Sequence, residues 1–264
     1  MSADVPTCDA VVIDGPAVVH MLSPKNGSTV DEYCALYLGY VTKFFDHAER
    51  IDLIFDVYIQ ASLKAGVRKK RGVAPPMVVR GVTKIKNWGR FLKNDSNNQS
   101  LFQYIATYAQ SVQISENKQL VLTCRDSVLT NPDSMALNES LSPCDHEEAD
   151  TRMILHMKQI FDETASSVIL RTVDTDVVVL AIAASAQHEE KNIYVHFGVG
   201  DHKRILNAHK IRRQTGAAKA LALPVFHAFT GCDTVSAFKS IGKKTAWERW
   251  NACLLYTSPS PRDS

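Results

Sequence analysis

Val168-Ile169-Leu170-Arg171-Thr172-Val173-Asp174-Thr175-Asp176 sets a strand-length apolar run directly against two carboxylates. Helical patterns flank it over 147–161 and 176–186, and the next apolar run is Asn192–Phe197. Apolar strands alternating with helices read as a parallel sheet covered on both faces. The same order appears further toward the N-terminus. Ala10-Val11-Val12-Ile13-Asp14 precedes Gly15-Pro16, and Ile51-Asp52-Leu53-Ile54-Phe55-Asp56 likewise ends in an acid. Lys118–Cys124 reads as a further strand, Val30–Ala48 and Ser100–Val112 as helices, and Asp126–Asn138 as a polar loop. The fold expected is therefore α/β, three layers deep, around a mostly parallel sheet.

Ligands of such sheets bind outside the carboxyl ends of the strands. Asp14, Asp56, Asp174 and Asp176 all fall at such ends, while Glu148 and Asp150 open the amphipathic run Ala149–Phe161. Asp233 follows the apolar stretch Leu221–Phe229 and Gly231-Cys232. Singly, each acid has an ordinary structural use: Asp14 as a turn residue, Glu148 and Asp150 at a helix start, Asp176 as an N-cap. Together they repel, by ~4 kcal/mol for two charges at ~4 Å under the screening typical of a protein surface. If the fold gathers Asp14, Asp56, Glu148, Asp150, Asp174, Asp176 and Asp233, cations must hold them. Hard oxygen ligands point to Mg²⁺ or Mn²⁺, and seven acids suffice for two ions.

The composition is that of an ordinary globular protein: 264 residues, 45% hydrophobic and 22% charged. No run reaches the length of a membrane span, and Met1–Asp14 lacks a secretory-signal layout. Six cysteines without a Cys-x-x-Cys pair argue against a disulfide framework or a zinc site and fit a reducing, intracellular compartment. The net charge of +2 conceals an asymmetry: residues 57–94 hold ten bases and no acid. Lys64, Arg68, Lys69, Lys70 and Arg71 are its densest part, and Lys243 and Lys244 belong to a later basic stretch. Basic blocks beside an acidic metal centre suit a polyanion, although Arg68–Arg71 alone also fits a solvated face or a nuclear-import signal. Residues 253–263 are similar to one reading frame of a transposase-derived sequencing adapter. Residues 253–264 are set aside as a non-native tail, with the natural chain expected to continue beyond Ala252.

Three strings, His146-Glu147-Glu148-Ala149-Asp150, Thr172-Val173-Asp174-Thr175-Asp176 and Thr230-Gly231-Cys232-Asp233, together resemble the internal catalytic region of a known family. That family is the flap-endonuclease/XPG branch of the PIN-like nucleases. Val12-Ile13-Asp14 and Ile54-Phe55-Asp56 resemble its N-terminal region, whose strand-ending aspartates join the same cluster. Ser62–Arg71 is similar to the segment whose Lys and Arg reach the scissile phosphate, which assigns those catalytic roles to Lys64 and Arg71. Ser240–Ala246 is similar to the glycine hairpin of the helix–two-turn–helix element, so Gly242, Lys243 and Lys244 join Arg68, Lys69 and Lys70 as expected nucleic-acid contacts. The chain departs from the family by carrying Met1–Cys8 ahead of its first catalytic strand, and Pro75–Asn87 has no counterpart.

The resemblance implies a PIN-like nuclease domain over 1–230, with a basic insertion near 57–94, and the start of a truncated helix–hairpin–helix at 231–252. It implies Mg²⁺- or Mn²⁺-dependent phosphodiester hydrolysis by two ions, acting on DNA rather than RNA, by a monomer in the nucleus. A PIN-like module that binds nucleic acid or protein without catalysis is the alternative. Degenerate members are expected to shed costly carboxylates, and none is missing here. A phosphatase or receiver-like domain also uses strand-end aspartates, but needs neither the acid-free basic stretch nor the glycine hairpin.

Overall fold

A computed structural model describes residues 6–58, 74–232 and 241–253. Seven strands form one sheet in the order β4-β3-β2-β1-β5-β6-β7. They are β1 (Ala10–Asp14), β2 (Arg50–Ile54), β3 (Gln119–Cys124), β4 (Ser127–Asn131), β5 (Ser167–Thr172), β6 (Asn192–Phe197) and β7 (Arg204–Asn207). The five inner strands are mutually parallel, and β4 and β7 close the two edges antiparallel to β3 and β6.

Central β1 pairs Val11 with Ile51 on one side and Ile169 on the other. All five of its residues are buried, because helices cover both faces of the sheet. Val11, Ile13, Ile51, Leu53, Leu120 and Leu122 pack into one core, with α1 (Gly15–Met21), α2 (Val30–Val41), α3 (Trp88–Phe91) and α4 (Asp95–Gln110). The alternate positions Ala10, Val12, Ile54, Val168 and Leu170 face the opposite layer. That layer contains α6 (Ala149–Glu163), α7 (Thr175–Ala184), α8 (Ala208–Thr215) and α9 (Ala217–Phe229). The alternation follows from the two-residue period of a strand. The three-layer expectation is met.

Helix starts are written locally. Thr29 and Glu32 form a reciprocal capping box at α2, with Oγ1 accepting from Glu32 N at 3.2 Å and Oε2 accepting from Thr29 N at 2.7 Å. Asn94 caps α4 by accepting from Ser96 N and Asn97 N, so this helix begins five residues before the expected Ser100.

One reading needs correction. Asp126–Asn138 is not simply loop: it contains β4 and the start of α5 (Met135–Leu141). Leu137 and Leu141, one turn apart, pack on Val121 and Val128 as a small third core, which explains the order there. Beyond residue 200, β7, α8 and α9 add further structure to the same sheet. Gly216, at φ +90°, separates the two helices in a conformation that disfavours a side chain. Helix α10 (Lys243–Cys253) docks on α9, where Phe226 stacks on Trp250 at 4.9 Å and Lys219 Nζ donates to Asn251 Oδ1 at 2.6 Å.

One ionic group lies inside the second core. Asp52, fully buried on β2, takes a two-pronged contact from Arg50 at 2.7 and 2.8 Å, and His156 Nδ1 donates to its Oδ2 at 2.7 Å. Burial alone would raise the Asp52 pKa, but Arg50 and His156 hold it below the ordinary carboxylate range. His156 is held low by burial, which keeps the imidazole neutral and makes it a donor to the carboxylate. Among the described residues no helix is long and apolar enough to cross a membrane.

Candidate metal centre

The carboxyl edge of the parallel strands is built by chain reversals that each leave an acid behind. Asp14 is the last residue of β1 and the N-cap of α1, accepting from Ala17 N at 3.0 Å. Asp174, two residues past β5, caps α7 by accepting from Asp176 N at 2.8 Å. The cap is therefore Asp174, where the sequence suggests Asp176. Thr172 joins the two turns. Its buried hydroxyl donates to Asp14 Oδ2 and accepts from Asp174 N, each at 3.0 Å.

Asp56 lies two residues beyond β2 and accepts from Ala149 N at 2.9 Å, and Val57 N donates to Glu147 O at 2.8 Å. These contacts draw the first turn of α6 to the strand ends, and Asp150 with it. Asp150, Asp174 and Asp176 are each half-buried, and one oxygen from each lies within 4.8 Å of the others. Burial pushes the Asp150 carboxyl up to about 8, and repulsion from Asp174, Asp14, Asp56 and Asp176 adds to it. Asp14 is also raised, first by burial and then by Asp174; its hydrogen bonds and the Arg171 charge pull the other way. Arg171 is itself tied down beneath the turn, donating to Thr172 O at 2.8 Å and His196 O at 3.1 Å.

Five of the seven expected acids thus share one edge. Asp150, Asp174 and Asp176 form the tight group, and Asp14 and Asp56 stand close enough to perturb Asp150. Glu148 occupies the N-cap position of α6 without making a side-chain cap bond, and it lies outside the tight group. Asp233, Lys64, Arg68, Lys69, Lys70 and Arg71 lie outside the described residues. Gly242 immediately precedes α10, but Lys243 and Lys244 behave differently from each other. Lys243 Nζ donates to His227 O at 3.0 Å and to Thr230 Oγ1 at 3.2 Å, so it is turned toward α9. Lys244 is exposed.

Two participants have no sequence signal of their own. Thr172 reads as an ordinary strand residue. His227 reads as a lone histidine of the kind that is usually structural, yet its Nε2 lies 2.8 Å from Asp176 Oδ1. The donor set suits a hard divalent cation: three carboxylates, half-buried, with their mutual repulsion visible in Asp150. No protein-family model matches the chain, and a search of curated proteins finds no match.

Proposed function

We propose that this protein is a divalent-metal-dependent phosphodiester hydrolase acting on nucleic acid, of PIN-like architecture and flap-endonuclease type. The observation that carries the reading is the gathering of Asp14, Asp56, Asp150, Asp174 and Asp176 at one sheet edge, where burial first and then repulsion from the other four push Asp150 to about 8. A resting protein gains nothing from such a cluster, since each buried carboxylate destabilises its neighbours. A cation converts that repulsion into binding.

Asp150, Asp174 and Asp176 would hold one Mg²⁺ or Mn²⁺, with Asp14 and Asp56, and Glu148 and Asp233 by resemblance, completing a two-ion centre. When bound, such ions supply Lewis-acid stabilisation of phosphoryl charge and activation of water for in-line attack. The residues of the chain do the rest. Asp174 is fixed by its cap bond and Asp14 by Thr172 and Ala17, so both present oxygens without rotational freedom. Lys64 and Arg71 are assigned to the charge developing on the scissile phosphate. Arg68, Lys69, Lys70, Gly242 and Lys244 are assigned to the polyanion backbone, with DNA preferred over RNA. A monomer acting in the nucleus fits this reading.

The deciding experiment is cleavage of labelled branched and linear DNA and RNA with Mg²⁺, with Mn²⁺ and with chelator. Cleavage that requires the cation and disappears in Asp174→Asn supports the assignment. Undiminished cleavage by Asp174→Asn, or no cleavage of any substrate with either ion, overturns it.

A further inference from the structure

We propose that His227 and Lys243 are positioning residues for Asp176, so that docking of α10 on α9 sets the cation affinity of the acidic edge. The proposal rests on the metal reading above and assigns a role to two residues outside the carboxylate set. His227 lies on the last turn of α9, and its ring is mostly covered. Its Nε2 is 2.8 Å from Asp176 Oδ1 and its Nδ1 is 3.3 Å from Lys243 Nζ.

The identities of these neighbours fix the direction of the chain. An ammonium group has donors only, so the nitrogen facing Lys243 must offer its lone pair. The proton of a neutral imidazole then sits on Nε2 and is donated to the Asp176 carboxylate. A carboxylate asks for the same tautomer, so both neighbours select one state of the ring. Lys243 is held in turn by His227 O and Thr230 Oγ1, and α10 is fixed by the Phe226–Trp250 stack and the Lys219–Asn251 bond. Asp176 would otherwise be a half-exposed side chain on the first turn of α7, repelled by Asp150 and Asp174. A hydrogen bond to one oxygen limits its rotation at the position where a cation needs it. Histidine and carboxylate partners of this outer kind commonly change metal affinity by about 10–100-fold.

The test uses the full chain and Mn²⁺ alone, titrated by the paramagnetic resonance signal of the free ion, with thermal melts in chelator alongside. His227→Ala should weaken Mn²⁺ binding by about tenfold, and Lys243→Met should weaken it by less. His227→Gln, whose amide nitrogen can donate to Asp176, should recover most of the loss. Melting in chelator should stay close to wild type in all three variants. Unchanged Mn²⁺ affinity in His227→Ala overturns the proposal and leaves the metal reading standing. Equal loss in His227→Ala and His227→Gln also overturns it, because a donor at that position would then not matter. A wild-type chain that binds no Mn²⁺ overturns the metal reading itself, and this proposal with it.

Discussion

Asp150→Asn separates a metal centre from an ordinary polar cluster, because the two predict opposite signs. In the cation-free chain at pH 7, the climb of the Asp150 carboxyl from 3.8 to about 8 sets an upper limit on its penalty. At about 1.36 kcal/mol for each tenfold in proton affinity, that limit is ~4 kcal/mol. Asp150 keeps partial contact with solvent, and screening reduces the realised figure to about 2 kcal/mol. Asparagine keeps the shape and removes the charge. The variant should therefore be more stable in chelator, by roughly 4–8 °C in Tm for a domain of this size. A raised acid stabilises the fold fully below its unfolded pKa, and that contribution is lost as pH rises through the folded one. The Asp150 contribution should therefore be lost between about pH 4 and pH 8, so the advantage of the variant over the wild type should grow across that window.

Mg²⁺ reverses the ranking. At a hundredfold over Kd, a ligand that binds only the folded chain adds about 2.7 kcal/mol, enough to lift the wild type past the variant. Differential scanning fluorimetry from pH 4 to 9, in chelator and in Mg²⁺, reads both arms. If Asp150→Asn melts below wild type in chelator, the carboxylate is a structural partner and the repulsion argument is wrong. If Mg²⁺ leaves the wild type unmoved, the edge does not hold that cation.

Three further outcomes follow from the same geometry. Asp52→Asn should cost about 3 kcal/mol in urea titrations, the low end for breaking a buried pair, because Glu163 still meets Arg50 at 2.9 Å. Asp52 and His156 are both held low, so their contribution should be lost as pH falls, first below the ordinary histidine range and then through the lowered pKa of Asp52. Thr172→Val leaves Asp174 N without its Thr172 acceptor and Asp14 Oδ2 without its Thr172 donor, and should cost about 1–3 kcal/mol; full wild-type stability would show that the hydroxyl bridge is incidental. Lys244→Ala should lower the log–log salt slope of nucleic-acid affinity by about one, whereas Lys64→Ala and Arg71→Ala should slow single-turnover cleavage by roughly 10²–10³-fold even at saturating substrate. Rescue of the latter pair by saturation would reduce their segment to a docking surface.

What could be read from the sequence is what the backbone repeats locally. Inner strands covered on both faces are apolar at most positions, so β1, β5 and β6 stand out, and an acid at or after the end of each of the first two is conspicuous against that background. The edge is harder to see. Strand β4 fully buries only Val128 and Thr130, and α5 only Leu137 and Leu141, too few residues to establish a period. Helix α9 carries Pro224 in its interior and one buried residue, Ala220, which blurs its apolar face. The pairings that tune the site are invisible for a different reason. Asp52 meets His156 across 104 positions and Asp176 meets His227 across 51, and neither histidine has a neighbour in sequence that hints at its partner. The same residue type then serves two ends. His156, sealed among Asp52, Arg50 and apolar side chains, donates a hydrogen bond to a buried carboxylate for the fold. His227, at the mouth of the acidic edge, restrains a carboxylate that has like-charged neighbours and room for a cation. Burial and partner charge make the difference, and only the assembled sheet supplies both.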